Sequence, residues 1–321
     1  MDDLTVKEKL SLSENYAWRV SQARKELMTV KELDSYFTHV LYRPFDIRSI
    51  FFHPSVVWRT RPQVMRHMLA GRNVGLVTTR QTKDPFGVHV ANSLVAHKSV
   101  AKYDINFVFP LYLYPAEGEM VLGKDRSPNL NTKFIEDVSV KLGMYFKEDG
   151  KGDLLKNFGP EDIFNYAYAV FHSPTYRSRY AEFLKIDFPR LPLTSNKELF
   201  KALAAKGAEL VALHLMESPK LNNLITKYPV SGSSTVEKVS YDKNNRRVYI
   251  NKLQYFEGVP PQVWAFQIGG YQVCQKWLKD RKDRTLSYDD LHHYQRIVVA
   301  IKETIRLMSE IDSIIPSWPI R

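Results

Sequence analysis

The sequence predicts a mixed α+β fold, with a β-rich N-terminal part flanked by a helix and a mainly helical C-terminal part containing a β-hairpin. Strand-like runs of apolar, β-branched and aromatic residues are concentrated between residues 47 and 113. Helical spacing of apolar residues dominates residues 160–216 and 288–311. Because strands and helices are grouped along the chain instead of alternating, the pattern does not favour a βαβ array.

The N-terminal segment, residues 1–40, is predicted to be helical. Apolar residues at helical spacing indicate one helix over Lys9–Leu27 and a second, shorter helix over 31–40. Pro44 ends this pattern, because the residue before a proline disfavours the α conformation.

Residues 41–152 are predicted to form a mixed α/β subdomain. Strands are expected over 47–53, 73–80, 86–90 and 105–113, and Pro62 suits the first turn of a helix over 62–69. Residues 116–152 are rich in turn formers, among them Gly118 and Gly123, and are the best candidate for a boundary. The aromatic residues Phe107 and Phe109 are expected in the core.

Residues 153–321 are predicted to form a mainly helical subdomain. Helices are expected from Pro160 onward, over 176–184, over 197–216 and over 288–311, with a short helix or strand over 273–279. The exception is a hairpin over 236–253 with residues 242–245 as its loop.

Composition narrows the class of protein. The chain has 321 residues and one cysteine, Cys274, so an internal disulfide or a zinc–cysteine cluster is excluded and a reducing, cytoplasmic location is expected. No run of apolar residues approaches the length of a membrane-spanning helix, so no membrane partner is expected.

Positive charge is clustered along the chain. The net charge is +11, which favours a polyanionic partner. Residues 41–83 carry eight Lys and Arg against one Asp, residues 238–252 five against one, and residues 270–284 five against two. We call these the three basic windows. Clustering of this kind indicates a binding surface more than a uniform solubility effect.

Motifs for catalysis are missing from the sequence. There is no phosphate-binding loop, no Gly-x-Gly-x-x-Gly before a helix, no nucleophile elbow and no spaced metal ligands. Asp149 and Lys151 have the Asp-x-Lys spacing of some nuclease sites, but a surface turn flanked by glycine explains them better. We therefore expect no catalytic residue, no metal and no cofactor in this chain. The sequence predicts a binding protein or a piece of an enzyme.

Candidate base-reading residues end a predicted strand inside the first basic window. Arg and Gln can form bidentate hydrogen bonds to guanine and adenine, and Lys can contact guanine or phosphate. A second candidate pair follows two glycines, where a tyrosine could stack on a base; burial of that tyrosine in the core is the alternative. The base-reading candidates are Thr78, Thr79, Arg80, Gln81, Lys83, Tyr271 and Gln272.

Candidate phosphate-binding residues are the other cations of the three windows. A solvated loop or a solvated helix face is the alternative for each of them. The phosphate candidates are Arg59, Arg61, Arg246, Arg247, Lys276, Lys279, Arg281, Lys282 and Arg284.

Eight sequence blocks occur in a fixed order along the chain. They are Tyr42–Arg48, Leu76–Gln81, Phe109–Tyr114, Ile163–Tyr166, Ser173–Arg177, Phe188–Pro192, Gly269–Tyr271 and Trp277–Arg281. Together they resemble the C-terminal target-recognition (specificity) domain of type ISP restriction–modification enzymes, and the helical middle is also similar to type IIG enzymes. The likeness extends from about Tyr16 to Ile311.

The resemblance implies a domain that reads a short asymmetric sequence in double-stranded DNA and clamps the duplex against an adjacent adenine-N6 methyltransferase. S-adenosylmethionine, ATP and magnesium are then expected in the parent enzyme, and residues 1–40 become the linker to its methyltransferase. We expect this chain to be monomeric and to have no methyltransferase activity alone. The alternative is a protein-interaction scaffold that docks onto the catalytic part through residues 16–27 and the helical middle without reading DNA itself.

Overall fold

The N-terminal segment of the computed structural model is broken into short elements. The structure describes residues 2–16, 18–116 and 125–320. Helix α1 is Asp3–Lys9, α2 is Val20–Leu27, and a 3-10 helix spans Leu33–Tyr36. The predicted continuous helix over Lys9–Leu27 is wrong, because Ser11 adopts a left-handed φ of 51° and because the Glu14 carboxylate accepts a hydrogen bond from the backbone N–H of Val20, where α2 begins. The predicted helix over 31–40 is wrong as well, since the 3-10 turn leads directly into a strand.

Two three-stranded sheets form the β-rich part. In the first, β1 (Phe37–Arg43) pairs antiparallel with β2 (Asp46–Phe51) and parallel with β5 (Leu94–Val95). In the second, β3 (Gly75–Thr79) lies between β4 (Val88–Ala91) and β6 (Asn106–Pro110), antiparallel to both. Helix α3 (Pro62–Leu69) connects the two sheets with the predicted bounds.

Residues 111–158 contain a helix that the turn-rich composition concealed. Helix α4 begins after Asn131, whose side chain accepts a hydrogen bond from the N–H of Phe134, and ends at Gly143 in the left-handed conformation. Gly118 and Gly123 lie outside the described residues, and the division of the chain near residue 152 stays a prediction. The elements here are β7 (Tyr112–Leu113), β8 (Ser127–Pro128), α4 (Thr132–Leu142), β9 (Tyr145–Phe146) and β10 (Asn157–Phe158).

The C-terminal half is mainly helical, as predicted. Its helices are α5 (Pro160–His172), α6 (Pro174–Arg179), α7 (Ala181–Leu184), α8 (Lys197–His214), a 3-10 helix (Pro219–Asn222), α9 (Pro261–Ala265), α10 (Val273–Lys279) and α11 (Tyr288–Ile314). The predicted hairpin is present as β11 (Ser240–Asp242) and β12 (Arg247–Tyr249), and β13 (Tyr255–Glu257) adds a third strand to it. A short hairpin with two residues in each strand, β14 (Gln267–Ile268) and β15 (Tyr271–Gln272), precedes α10. Within the described residues, no helix combines the length and apolar character that a membrane span needs.

Helices α5 and α8 are packed closely at the centre of this half. A Cβ atom at Gly207 of α8 would lie 1.8 Å from the carbonyl oxygen of Asn165 in α5, so any side chain there would force the helices apart. Nearby, the rings of Tyr166 and Phe200 stack with centroids 4.9 Å apart. The sheets and helices share one continuous apolar core.

Three buried histidines lie where β4, α5 and α8 meet. The ring of His214 is 5.2 Å from the rings of both His89 and His172. Thr304 donates its hydroxyl proton to the carbonyl of Ala300, so it accepts from His214 Nε2, and His214 Nδ1 accepts from the hydroxyl of Tyr168. His214 is therefore neutral and fully hydrogen-bonded. Both ring nitrogens of His89 lack a hydrogen-bond partner among the described residues.

Burial makes this cluster sensitive to acid. It lowers the pKa of His89 to about 3, and it lowers the pKa values of His172 and His214 as well. A histidine whose pKa is lower in the folded state than in the unfolded state contributes stability that is present above about pH 6.5 and is lost as the pH falls.

We therefore expect the free energy of unfolding to decrease below about pH 6.5, by up to about 1.4 kcal/mol per pH unit for each such histidine. Urea titrations between pH 7.5 and 5 measure this slope. His89→Leu removes one buried histidine, so the free energy of unfolding should change less steeply with pH than in the wild type. The control is His39→Leu, which changes an exposed histidine and should leave the slope unchanged. Equal slopes for the wild type and His89→Leu would contradict the assignment.

Candidate nucleic-acid interface

The two threonines among the base-reading candidates are buried. Strand β3 is the central strand of its sheet, and Thr78 and Thr79 near its end are each 1% exposed. The hydroxyl of Thr78 donates to the carbonyl of Gly87 over 3.0 Å. The hydroxyl of Thr79 has no hydrogen-bond partner among the described residues. Neither side chain reaches the surface, so we set both aside as base readers.

The three residues that follow β3 reach the solvent. Arg80, Gln81 and Lys83 are exposed on the turn that leaves the sheet. The Arg80 guanidinium lies 3.5 Å from the carboxylate of Asp187, and the side chains of this pair are 61% and 42% exposed. An ion pair this exposed contributes little to stability, so the guanidinium can exchange its partner at small cost.

A close contact between two loops holds this turn in place. Asp84 accepts a hydrogen bond from the backbone N–H of Lys102 over 2.6 Å. A Cβ atom at Gly270 would lie 2.6 Å from the Asp84 carboxyl carbon, and one at Gly87 would lie 2.8 Å from the Cα of Gly269. The glycines permit tight packing here and do not provide a flexible backbone. The structure thereby brings both groups of base-reading candidates together.

Tyr271 and Gln272 are held within this contact. Tyr271 is 3% exposed, and its hydroxyl oxygen lies 2.9 Å from the carbonyl oxygens of both Lys98 and Ala101. The side-chain amide of Gln272 donates to the carbonyl of Trp264 over 2.7 Å. Tyr271 is therefore a structural residue, and the alternative interpretation, that it is buried in the core, applies. Gln272 is partly exposed, and its role in reading stays a prediction.

A buried ion pair joins the first basic window to the third. Arg281 donates to Asp46 over 3.0 Å, and its guanidinium lies 3.5 Å from the ring centroid of Trp277. Arg48 donates to the other oxygen of Asp46 over 2.8 Å. Burial alone would raise the pKa of Asp46, but the hydrogen bonds and charges of the two arginines outweigh burial and lower it. Arg281 is thus a structural residue and is set aside as a phosphate contact.

The second basic window adjoins the same place. Val236, just before that window, donates its N–H to the carbonyl of Arg284 and accepts from the N–H of Asp283, at 3.0 and 2.8 Å. We call residues 281–286 the junction segment. The third basic window contains residues 281–284 of it, the first window contacts it through Asp46, and the second window begins two residues after Val236.

The remaining phosphate candidates fall into two groups. Arg247 is paired with Glu257, and Lys276 is paired with Asp280. The others are exposed and form no ion pair with any described residue. They are Arg59, Arg61, Arg246, Lys279, Lys282 and Arg284.

Arg59 and Arg61 lie on a strained loop before α3. Both adopt left-handed φ angles, 58° and 52°, which cost about 1–3 kcal/mol each for residues other than glycine. Between β2 and this helix the loop also exposes Trp58, which is 64% accessible. Sequence reasoning did not single out Trp58, although a tryptophan beside two arginines in a segment without acidic residues is a usable signal.

An exposed apolar face on β6 was also missed. Phe107 and Phe109 are 37% and 41% exposed, so the prediction that they are core residues is wrong. Strand β6 is at the edge of its sheet, and the Phe188 ring packs edge-on against both, with centroids 5.1 and 5.3 Å away. Whether a side chain on an edge strand is buried depends on which other segment packs over that strand. The alternation of residues within the strand does not show this.

Among the residues that the structure describes, no group of His, Cys, Asp and Glu side chains is arranged to hold a metal ion.

A family model described as the type ISP C-terminal specificity domain matches residues 2–310. The chain belongs to this family. The family predicted from the ordered sequence blocks is thereby confirmed. A comparison of the specificity domain with curated proteins found no match.

Three solved structures share the fold of the specificity domain. The DrdV–DNA complex is 22% identical with a TM-score of 0.69, and the match covers 91% of this chain and 30% of that one. A nuclease-deletion mutant of the type ISP enzyme LlaGI, in complex with a DNA substrate mimic, is 18% identical with a TM-score of 0.66, covering 95% and 27%. The ATP-dependent type ISP enzyme LlaBIII bound to DNA is 17% identical with a TM-score of 0.69, covering 97% and 20%. The specificity domain thus spans less than a third of each of these proteins.

Replacing Asp46 with alanine should unfold the domain more easily, because it leaves the buried Arg281 without its carboxylate. We expect Asp46→Ala to lose about 3–5 kcal/mol of unfolding free energy, measured by denaturant titration. Glu237→Ala, at an exposed residue, is the control and should change it by less than about 0.5 kcal/mol. Equal effects of the two substitutions would show that the ion pair does not hold the fold together.

Proposed function

We propose that the specificity domain binds double-stranded DNA, reads a short asymmetric sequence, and positions an adjacent adenine-N6 methyltransferase on it. The observation that carries this proposal is the meeting of the three basic windows around the junction segment. The fold is shared with proteins whose structures were solved with DNA or a DNA mimic, which supports the same partner here. S-adenosylmethionine, ATP and magnesium belong to the rest of the parent enzyme in this proposal.

The unpaired cations are the proposed phosphate contacts. Lys279, Lys282 and Arg284 lie on or beside the junction segment, and Arg246 lies near the tip of the adjacent hairpin. Among the described residues, no carboxylate has to be displaced before any of them binds a phosphate. Neutralising phosphates releases condensed counterions, so the affinity should decrease steeply with salt concentration.

The exposed turn after β3 is the proposed reading element. Arg80, Gln81 and Lys83 provide the donors and the acceptor that base edges require. The contact between Asp84 and the 269–270 loop fixes the turn, and fixed side chains are what sequence discrimination needs. Arg80 would exchange its exposed pair with Asp187 for a base edge or a phosphate.

A second role is favoured by the N-terminal segment, which exposes large apolar side chains. Leu4, Leu10, Tyr16 and Met28 are 71%, 62%, 92% and 85% exposed. Several exposed apolar side chains within one short segment favour burial against a partner protein. We propose that this segment docks onto the methyltransferase. The double substitution Tyr16→Ser/Met28→Ser should then weaken that association without changing retention of DNA.

Selection from a pool of randomised duplexes, at low and at physiological salt, tests the main proposal. Enrichment of one short asymmetric site would support a self-sufficient reading domain. Salt-sensitive retention without enrichment would mean that reading needs the methyltransferase half of the clamp. Absence of retention at both salt concentrations would overturn DNA binding by this chain and leave the docking role.

Two substitutions separate reading from phosphate contact. Arg80→Ala should relax sequence preference, because a bidentate base contact discriminates by about 1–3 kcal/mol. Lys282→Ala should weaken binding to every sequence alike and lower the salt slope by about 0.9. Salt titrations of affinity for the selected site and for scrambled duplexes measure both effects. A uniform loss of affinity in both variants would contradict this division of roles.

A further inference from the structure

We propose that Trp58 stacks on a nucleobase of the bound DNA, as a wedge presented by the loop 54–61, which also carries Arg59 and Arg61. This inference rests on the proposed function, because it names one contact of the DNA-binding surface. It assigns a role to the one tryptophan that is mainly exposed.

The crest of the loop is fixed at both of its ends. On one side, the indole N–H of Trp18 donates to the carbonyl of Ser55 over 2.6 Å, and the N–H of Val57 donates to the carbonyl of His53 over 2.9 Å. On the other side, the Arg61 carbonyl accepts the first hydrogen bonds of helix α3. Only residues 58–60 lie between these anchors, so Trp58 is held away from the core by the backbone.

Trp58 is the most exposed of the five tryptophans. It is 64% accessible, whereas Trp277 is 2% accessible and the other three are partly buried. The Arg59 guanidinium lies 4.3 Å from its ring centroid, so one face of the ring is covered by a cation and the rest of the ring is open. An indole presented in this way can stack on the π-face of any base.

The charge around the loop favours DNA over a protein partner. No acidic residue occurs between Asp46 and Asp84, while Arg59, Arg61, Arg66 and Arg72 are exposed and form no ion pair with a described residue. An apolar ring followed by two arginines suits insertion at a base step, with the cations near its phosphates. The left-handed φ angles of Arg59 and Arg61 add a further indication, because strained backbone is retained where a function requires the conformation.

Tryptophan fluorescence of the full chain tests this assignment with a random-sequence 30-base-pair duplex at low salt. Stacking on a base quenches indole emission, so the duplex should quench the wild type and should quench Trp58→Phe much less. Trp58→Ala should weaken affinity by about 5- to 150-fold, with a smaller loss for Trp58→Phe. Tyr145→Ala, which removes another exposed ring, is the matched control and should bind as the wild type does.

Other outcomes would overturn the inference and are distinguishable. If the duplex binds with unchanged emission and Trp58→Ala retains full affinity, the wedge is wrong and the proposed function stands. If the methyltransferase part alone, without DNA, protects Trp58 from acrylamide, the loop is a protein-docking element. If the wild type retains no duplex even at low salt, the proposed function and the wedge fail together.

Discussion

The buried ion pair between Asp46 and Arg281 joins two parts of the chain that lie 235 residues apart. It attaches the first residue of β2 to the segment after α10, and Arg48 completes the arrangement from the same strand. Because both charges are removed from water, separating them would leave an uncompensated charge in the interior. The pair therefore fixes the position of the N-terminal sheet relative to the C-terminal helices. The junction segment follows directly from Arg281, and it is hydrogen-bonded to Val236 in the stretch that leads into the hairpin.

The excess of positive charge is divided between structure and surface. Arg281 and Arg48 neutralise a buried carboxylate, and Arg247 and Lys276 are held in ion pairs. Lys279, Lys282, Arg284 and Arg246 have no such partner among the described residues and project from the junction segment, its neighbour α10 and the hairpin. Net charge alone does not distinguish these groups, because the role of each cation depends on whether the fold places a carboxylate beside it.

Tight packing beneath the surface holds the backbone from which the exposed side chains project. At the Gly87–Gly269 and Asp84–Gly270 contacts there is no room for a side chain on the glycines. The buried histidines fill the space between β4, α5 and α8 in their neutral form. Two exposed segments extend from this packed region. One is the turn with Arg80, Gln81 and Lys83, and the other is the loop with Trp58. Sequence-specific binding benefits from such rigidity, since side chains that are already ordered lose less entropy when they bind.

The sequence by itself determined the α+β class, the family, the hairpin and the elements with strong local signals. Pro62 at a helix start and the Ser287 cap of α11 act over a few residues, so pattern reasoning located α3 and α11. The N-terminal helices were misplaced because one left-handed residue, Ser11, interrupts an otherwise continuous helical pattern. Only the tertiary structure decided which candidates reach solvent. Thr79 is buried although it ends a polar-looking strand, and Arg281 is buried in an ion pair with Asp46. Both outcomes depend on contacts between residues distant in the chain, which local patterns do not encode.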